Sequence, residues 1–528
     1  MSADRSPPSR SFAHHIGFVA AVFTALALLP AAHGFAQNAG RPNAPSAPNP
    51  SAVLFEANCS GCHGTPEQGG GRGPNLFDQA FQATRTDDQL LKAVLEGVHG
   101  TEMPAFRGTL SDDESWRLVT YVRSQAATIK GKPPFVANPD GKLVSSRKQS
   151  FRMEVVTAAL ETPWGMAFLP DGRLLVTERP GRLRIIRNGK LLPEPVTGTP
   201  RVWERQDAGL LDVAVHPDHR RNGWIYLTYV EVAPGTPLPP GDSVTPKEQR
   251  GPNLPSMTVV VRGKLDARNA WVGTQEIFRA PTSLYTTGGS HYGSRLLFDR
   301  KGHLFFTLGD RGDPENAQNL ASPLGKIHRV NADGTVPRDN PFVGRPGALP
   351  SIWSYGHRNP QGLSYDPRTG LLWESEHGPS SGDEINIIEP GRNYGWGVVT
   401  MGVQPGITRR TAPGMDSPIT YYTPAIAPSG IGFYSANRYP GWRNSLFVAG
   451  LAGQQLRRIE VSGRKIVDQE VVFDALGRTR TVTTGPDGLL YILLQDRTGA
   501  GTGIGLSEST PGKLIRLVPV PTHAVSRN

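Results

Sequence analysis

The only two cysteines of the chain stand in Cys59-Ser60-Gly61-Cys62-His63. In this C-x-x-C-H spacing two thiols can add across the vinyl groups of a haem while the adjoining imidazole ligates its iron. A structural zinc site is one competing reading, but it lacks further Cys or His ligands at suitable spacing. A thioredoxin-like redox pair is another, but no strand-helix pattern surrounds the cysteines. A haem that transfers electrons usually carries a second axial ligand, and a soft thioether there raises the reduction potential. Met103, in the Pro-interrupted segment Gly100-Thr101-Glu102-Met103-Pro104-Ala105-Phe106, is the candidate, with a core gap-filler as its plain alternative. The residues therefore point to haem c, held covalently by Cys59 and Cys62 and ligated by His63 and Met103, and so to electron transfer.

Apolar residues at helical spacing flank the motif, in Val53-Leu54-Phe55 and from Asp87 to Val98. Ser111-Asp112-Asp113-Glu114 reads as a capping box that opens a third helix with Trp116, Val119, Tyr121 and Val122 on its apolar side. From Ser51 to Ala127 the chain resembles a class I cytochrome c, including Arg72-Gly73-Pro74-Asn75-Leu76, where such proteins set a loop proline against the haem ligand. Ahead of it, Arg5 and Arg10 precede an apolar run from Ile16 to Leu29 and small residues from Ala31 to Ala36, the pattern of a secretory signal peptide. An uncleaved anchor is the alternative, although the run is short for a spanning helix. The expected organisation is a signal peptide over 1–36, a Pro/Asn-rich leader over 37–50, an all-α cytochrome module over 51–128, a linker over 129–149, a large domain over 150–520 and a tail over 521–528. No later stretch is apolar enough to span a membrane, and covalent haem on an exported chain points to a bacterial periplasm.

With 61 Gly and 48 Pro in 528 residues, the larger part is too turn-rich for a helical bundle and reads as all-β. The formal charge of +10 comes from 56 basic residues scattered among 46 acidic ones, with no dense basic run and interleaved aromatics, which argues against nucleic acid. With both cysteines committed to haem, no disulfide braces the large domain. A strand-turn-strand unit recurs there: Trp164 to Phe168 with Leu174 to Val176, Leu211 to Val215 with Ile225 to Leu227, Arg295 to Phe298 with Leu304 to Phe306, Gly362 to Tyr365 with Leu371 to Trp373, Gly432 to Tyr434 with Leu446 to Val448, and Val482 with Tyr491-Ile492. Such hairpins bury both faces only when stacked radially, so the fold expected is a six-bladed β-propeller, with a long insertion at 233–255 on its loop face.

Three strings then carry a specific resemblance: Ser290-His291-Tyr292-Gly293-Ser294-Arg295-Leu296, Tyr355-Gly356-His357-Arg358-Asn359-Pro360-Gln361-Gly362, and Glu376-His377-Gly378-Pro379 followed by Gly382-Asp383-Glu384-Ile385-Asn386. From residue 150 to 518 the chain resembles the soluble aldose sugar dehydrogenases of the glucose/sorbosone dehydrogenase family. These enzymes are six-bladed propellers that hold pyrroloquinoline quinone (PQQ) and a calcium ion. The resemblance implies that His291 is the base that takes the sugar hydroxyl proton and that Arg358 steadies the charge arriving on the quinone. It implies Asn359, His377, Asp383, Arg478 and Arg480 as cofactor contacts, and Gly378 and Pro379 as calcium ligands through their carbonyls. These types suit their roles: a neutral imidazole suits a base near pH 7, carbonyl oxygens suit a hard cation, and Arg478 and Arg480 at i and i+2 share one face of an extended segment. Each also has a plain structural reading, as loop histidine, Gly-Pro turn, charged strand edge or blade turn.

The chain departs from the glucose-oxidising branch of that family at Ala452, where a cofactor-binding lysine stands, and at Ala425, His377 and Ser290. A glutamine expected two residues before Gly209 is Asp207, with Gln206 one place early. These differences favour the broader aldose branch. Asp310, Asp313 and Glu315 could hold a second calcium, solvated turns being as common a use of that pattern. The function expected is a quinohaemoprotein that oxidises an aldose through PQQ and haem c to an external acceptor such as a small cytochrome or copper protein. A haem-bearing sensor propeller and an eight-bladed haem nitrite reductase are the rivals.

Overall fold

The computed structural model describes residues 49–131, 133–237, 252–496 and 510–521. The expected signal peptide, most of the leader, much of the 233–255 insertion and nearly all of the tail lie outside the described residues. No described helix is long and apolar enough to cross a membrane.

The first module is helical: α1 (Pro50–Asn58), α2 (Ser60–His63), α3 (Gln79–Ala83), α4 (Asp87–Glu96) and α5 (Asp112–Lys130). Their starts follow from capping chemistry. Asn49 accepts from the Ser51 amide ahead of Pro50, and full capping boxes join Thr86 to Gln89 and Ser111 to Glu114. Helix α5 turns Leu118, Val122 and Ala126 onto Phe55, Phe77 and Leu110, with Phe55 and Phe77 5.5 Å apart centroid to centroid. A core this small gains from polar staples: Arg123 Nε donates to Asp87 at 2.6 Å and Gln79 Nε2 to the Ala126 carbonyl at 3.0 Å.

The large domain is the six-bladed propeller expected from the hairpin repeat. Five sheets have four antiparallel strands and one has five. In chain order the blades begin at the inner strands Pro163–Phe168, Leu210–Val215, Leu296–Phe298, Pro360–Tyr365, Pro428–Phe433 and Arg478–Thr484. The ring closes inside the last blade, where Ser150–Glu161 pairs antiparallel with Pro511–Val520, from Ser150 opposite Val520 to Glu161 opposite Pro511. Leu143–Ser145 adds an outer strand to that blade, so the end of the segment read as linker is part of the sheet. Sharing one sheet between both ends of the domain leaves no open edge between first and last blade. Six blades also exclude the eight-bladed alternative.

Hydroxyl groups on the strands near the central axis pin neighbouring blades together. Thr177 donates to the Leu211 carbonyl, Thr228 to Ser294 at 2.8 Å, Thr307 to Pro360 at 2.9 Å, Ser375 to Ser429 at 2.8 Å and Thr481 to Trp164 at 2.8 Å. Each bond ties one blade to the start of the next, which fixes the blades where the site is built. His216-Pro217-Asp218-His219 is a blade turn, as expected, running into the one-turn helix His219–Asn222.

One buried histidine sets an acid limit on this fold. His328 is fully buried, stacked 4.8 Å from Phe306, with Nε2 donating to the Pro323 carbonyl at 2.9 Å and Nδ1 accepting from Ser351 at 3.1 Å. Burial pushes its pKa down to about 4 from an ordinary 6.5. Between those values the unfolded chain binds a proton that the native chain does not. Stability is therefore full above pH 6.5 and falls as the pH drops toward 4, by up to about 3 kcal/mol. In urea titrations His328→Gln should flatten this slope; an unchanged slope would assign the acid limit to other groups.

Candidate active site and haem site

The residue predicted to be the base lies in the loop ahead of the third blade. His291 has φ 57°, in the left-handed region, and Gly309 lies so close beneath it that a Cβ there would stand 2.2 Å from the His291 carbonyl oxygen. Its Nδ1 lies 2.6 Å from Asp310 Oδ1. Asp310 also accepts from the Gly312 amide at 2.8 Å and from the Trp396 indole at 2.6 Å, and its own amide donates to the Arg358 carbonyl at 2.9 Å. Burial opposes the charge on Asp310, but His291, Arg358 and the Gly312 amide outweigh it and hold the carboxyl below its usual range. An ionised Asp310 accepts from Nδ1–H, and this fixes the tautomer that leaves Nε2 of His291 as a proton acceptor.

The role of Asp310 differs from the calcium reading of Asp310, Asp313 and Glu315. Its carboxylate is engaged by His291 and Trp396, while Asp313 caps the one-turn helix Pro314–Gln318. The three residues form no metal-spaced group; among the described residues only the buried His357, Glu374 and Glu376 do.

Arg358 and its neighbours line a small adjoining cleft, partly open to solvent, whose wall includes His377, Gly378, Pro379, Trp396 and Thr400. The Arg358 amide donates to Glu376 at 2.6 Å, its Nη1 to the His377 carbonyl at 3.1 Å, and its guanidinium lies 5.2 Å from the centre of the Trp396 ring. Asn359 donates from Nδ2 to Nδ1 of His377 at 3.3 Å. Burial, reinforced by Arg358 and Arg480, holds the His377 pKa well below its usual value. The ring is therefore neutral and carries its proton on Nε2, which is buried without a hydrogen-bond partner. Asp383 is turned onto the backbone: it accepts from Gly378 at 2.9 Å and from Ile426 and Ala427 at 2.7 Å each, and burial raises its pKa to about 6. It thereby shapes the Gly378-Pro379 turn, where a Cβ on Gly378 would stand 2.4 Å from the Ser381 carbonyl oxygen.

Arg478 and Arg480 enter from the last blade. The ladder shifts register between Thr479 and Thr481, and such a bulge re-aims the intervening side chain. Arg480 Nη1 lies 3.3 Å from both Gln361 and Ser429, and its guanidinium shares the face of Trp164 with that of Arg295. Burial pushes Arg478 down to about 10; burial and the neighbouring charges of Arg478 and Arg179 lower Arg480 further. The negative charge of Asp207 offsets this only in part. The Nε atoms of Arg358, Arg478 and Arg480, like Nε2 of His377, are buried and unpartnered. Such a donor set fits a planar ligand bearing several carboxylates and carbonyls, as PQQ does, and the Gly378-Pro379 turn offers carbonyl oxygens of the kind calcium takes. Gln206 reaches over the base loop, since a Cβ on Gly289 would collide with its Oε1, and the Asp207 amide donates to the Gly289 carbonyl at 3.2 Å.

In the helical module His63 is buried, and its Nδ1 donates to the Pro74 carbonyl at 2.8 Å. This is the expected loop proline, and it leaves Nε2 free for a metal. A Cβ on Gly73 would stand 2.7 Å from the His63 ring, so the loop closes directly on the imidazole. Cys59 and Cys62 form no disulfide. The Met103 loop is held along α4, with Val98 donating to the Met103 carbonyl at 3.3 Å and Phe106 to Val94 at 3.0 Å. These residues fit a haem bound through both thiols and His63.

Residues 160–504 match the family model described as Glucose / Sorbosone dehydrogenase. The chain belongs to the glucose/sorbosone dehydrogenase family. This family member carries a second match over residues 46–122, to the model described as cytochrome C oxidase, cbb3-type, subunit III. It is therefore a dehydrogenase-type propeller with an N-terminal cytochrome c domain. It is 38% identical over 356 residues to the aldose sugar dehydrogenase YliI of Escherichia coli, covering 66% of this chain and 91% of that protein. With the quinoprotein glucose dehydrogenase B of Acinetobacter calcoaceticus it shares 27% identity, covering 71% of this chain and 92% of that one. Among solved structures it resembles the apo form of the Escherichia coli soluble aldose sugar dehydrogenase (TM-score 0.60, 34% identity, 70% and 100% coverage). It also resembles the PQQ-bound aldose sugar dehydrogenase of Streptomyces coelicolor (TM-score 0.52, 25% identity, 72% and 100% coverage).

Proposed function

We propose that this protein is a periplasmic quinohaemoprotein that oxidises an aldose, or a related sugar aldehyde, at C1 and delivers the electrons through its own haem to an external acceptor. The observation that carries the reading is the chain His291–Asp310–Arg358, which sets a fixed proton acceptor near guanidinium groups whose buried Nε atoms have no partner.

When bound, PQQ supplies a quinone that takes up hydride and haem c a carrier of single electrons. The residues do the rest. Nε2 of His291 accepts the proton of the sugar C1 hydroxyl as the C1–H bond breaks, and Asp310 keeps the ring in the accepting tautomer and balances the imidazolium. Trp396 and the Gly312 amide hold Asp310 ionised and in place. Arg358 offers a cation that needs no reorganisation where negative charge grows, with Nε2–H of His377 as a second donor. Arg478 and Arg480 would pair with the cofactor's carboxylates, and the carbonyls of Gly378 and Pro379 would hold calcium. In the other module Pro74 orients His63, and His63 and Met103 would hold the haem iron. The signal-peptide pattern of the first 36 residues supports export, which covalent haem attachment requires.

The reading is tested by reconstituting the purified protein with PQQ and Ca²⁺ and following reduction of an artificial dye across a panel of aldoses. Dye reduction that requires both additions and a sugar is expected. A folded, PQQ-loaded protein that oxidises no aldose would leave it as a binding or sensor propeller.

A further inference from the structure

The helical module of the structure lies against the propeller through one defined contact. Trp116 of α5, 3% exposed, donates its indole N–H to the Met401 carbonyl at 3.1 Å and meets the Tyr421 ring edge-on at 6.2 Å. Arg410 lies over the Trp116 ring, 4.7 Å from its centre, and reaches Asp88 of α4 at 3.6 Å. Leu91 and Val119 are buried with Trp116, and Tyr421 packs against them. A cation–π pair, an indole hydrogen bond and an apolar patch are the components of a specific contact.

The place of this contact gives it meaning. Met401 and Arg410 line a second cleft that shares Glu384, Tyr394, Val399 and Thr400 with the cleft of Arg358 and His377. One thin wall therefore separates the cofactor side from the helical module. Behind Met401, Gly402 lies flat on the candidate calcium turn, since a Cβ there would stand 2.6 Å from the Pro379 carbonyl oxygen. Tyr421 pairs in register with Glu384, and its neighbour Tyr422 with Asp383. On the other side of the contact, α4 holds the Met103 loop. Few steps join the Gly378-Pro379 turn to the module that carries the haem motif: a close backbone approach from Pro379 to Gly402, the peptide link to Met401 and the hydrogen bond to Trp116.

We infer that Trp116 and Arg410 dock the cytochrome module on the outer wall of the cofactor cleft, and that segment 399–402 is where electrons cross between the two modules. The inference rests on the function proposed above. Oxidation of one sugar releases two electrons. Each crossing takes one ferric haem to ferrous, so two crossings are needed per sugar, with the external acceptor reoxidising the haem between them and the two protons leaving to solvent. A tether alone would give many arrangements; docking fixes one, at short distance. Trp116 and Arg410 are positioning residues and touch no sugar.

The test compares wild type with Trp116→Phe, which keeps an aromatic ring but loses the N–H, and with Arg410→Glu, which sets on the propeller side a like charge against Asp88 of α4. Two readouts are taken on the haem-containing protein. The first, without PQQ, is hydrogen exchange at residues 400–402 and 421. The second, with PQQ and Ca²⁺, is the stopped-flow rate of haem reduction after mixing with a sugar, beside dye reduction in the steady state. Expected are faster exchange at those amides in both variants and haem reduction slowed about tenfold or more, with dye reduction within about twofold of wild type. Unchanged exchange would overturn the docking. Faster exchange with an unchanged rate of haem reduction would overturn the crossing point. No dye reduction in the wild type would overturn the sugar reading and the electron route with it, while the exchange data still decide the docking.

Discussion

Replacing His291 with Asn should lower sugar-dependent dye reduction by about 10²- to 10⁴-fold, the range expected when a positioned general base is lost. Asn tolerates the left-handed backbone at this position, where φ is 57°, so the loop should keep its shape and the thermal midpoint should hardly move. PQQ retention should also persist, because the cations proposed to hold the cofactor, Arg358, Arg478 and Arg480, are untouched. Asp310→Asn is the companion variant. It keeps the volume but can donate to Nδ1, which favours the tautomer whose Nε2 is already protonated; a large fall in kcat with little change in KM should result. The two defects should not add, because both residues act through one proton transfer. Turnover retained in His291→Asn would remove it as the base.

Replacing both Cys59 and Cys62 with Ser separates the halves of the molecule. Without thioether bonds the purified protein should lack covalent haem bands, and sugar should no longer reduce any haem on the chain. Dye reduction should stay within about twofold of wild type, since the propeller has its own core and its own closure between Ser150–Glu161 and Pro511–Val520. Reduction of a small cytochrome or copper protein, by contrast, should fall by at least about tenfold if haem is the exit for electrons. A double variant that still reduces such an acceptor at the wild-type rate would place the exit on the propeller.

Much of this was legible in the chain because it is written locally. The haem motif, the Ser111–Glu114 capping box and the loop proline at 74 each involve residues close in sequence. The six hairpins follow from period-2 strands punctuated by turns, and every one of them forms the inner pair of a blade. The ring closure was not legible, because pairing 150–161 with 511–520 is a long-range choice that neither strand announces by itself. For the same reason the partners of Asp310 were not legible, and a calcium site and a solvated turn stood as alternatives for it. Its string Gly309-Asp310-Arg311-Gly312-Asp313 looks like a loop of carboxylates, and only the fold brings His291 and Trp396 to its two oxygens. Asp383 was expected near the calcium and cofactor, with a blade turn as the alternative; that its carboxylate ties Gly378 to Ile426 and Ala427, from the start of the next blade, was not legible. Trp116 was read as one apolar residue of an amphipathic helix; its N–H finds Met401 only once helix and propeller meet.

The central claim is that sugar, quinone site and haem form one electron path within a single chain. Its most direct test is the visible spectrum of the ferric protein, loaded with PQQ and Ca²⁺ under anaerobic conditions, before and after an aldose is added with no external acceptor. The account predicts sharpened bands of ferrous haem c when sugar and PQQ are both present, and a ferric spectrum when either is withheld. A haem that stays ferric while the same sample reduces an added dye would contradict it.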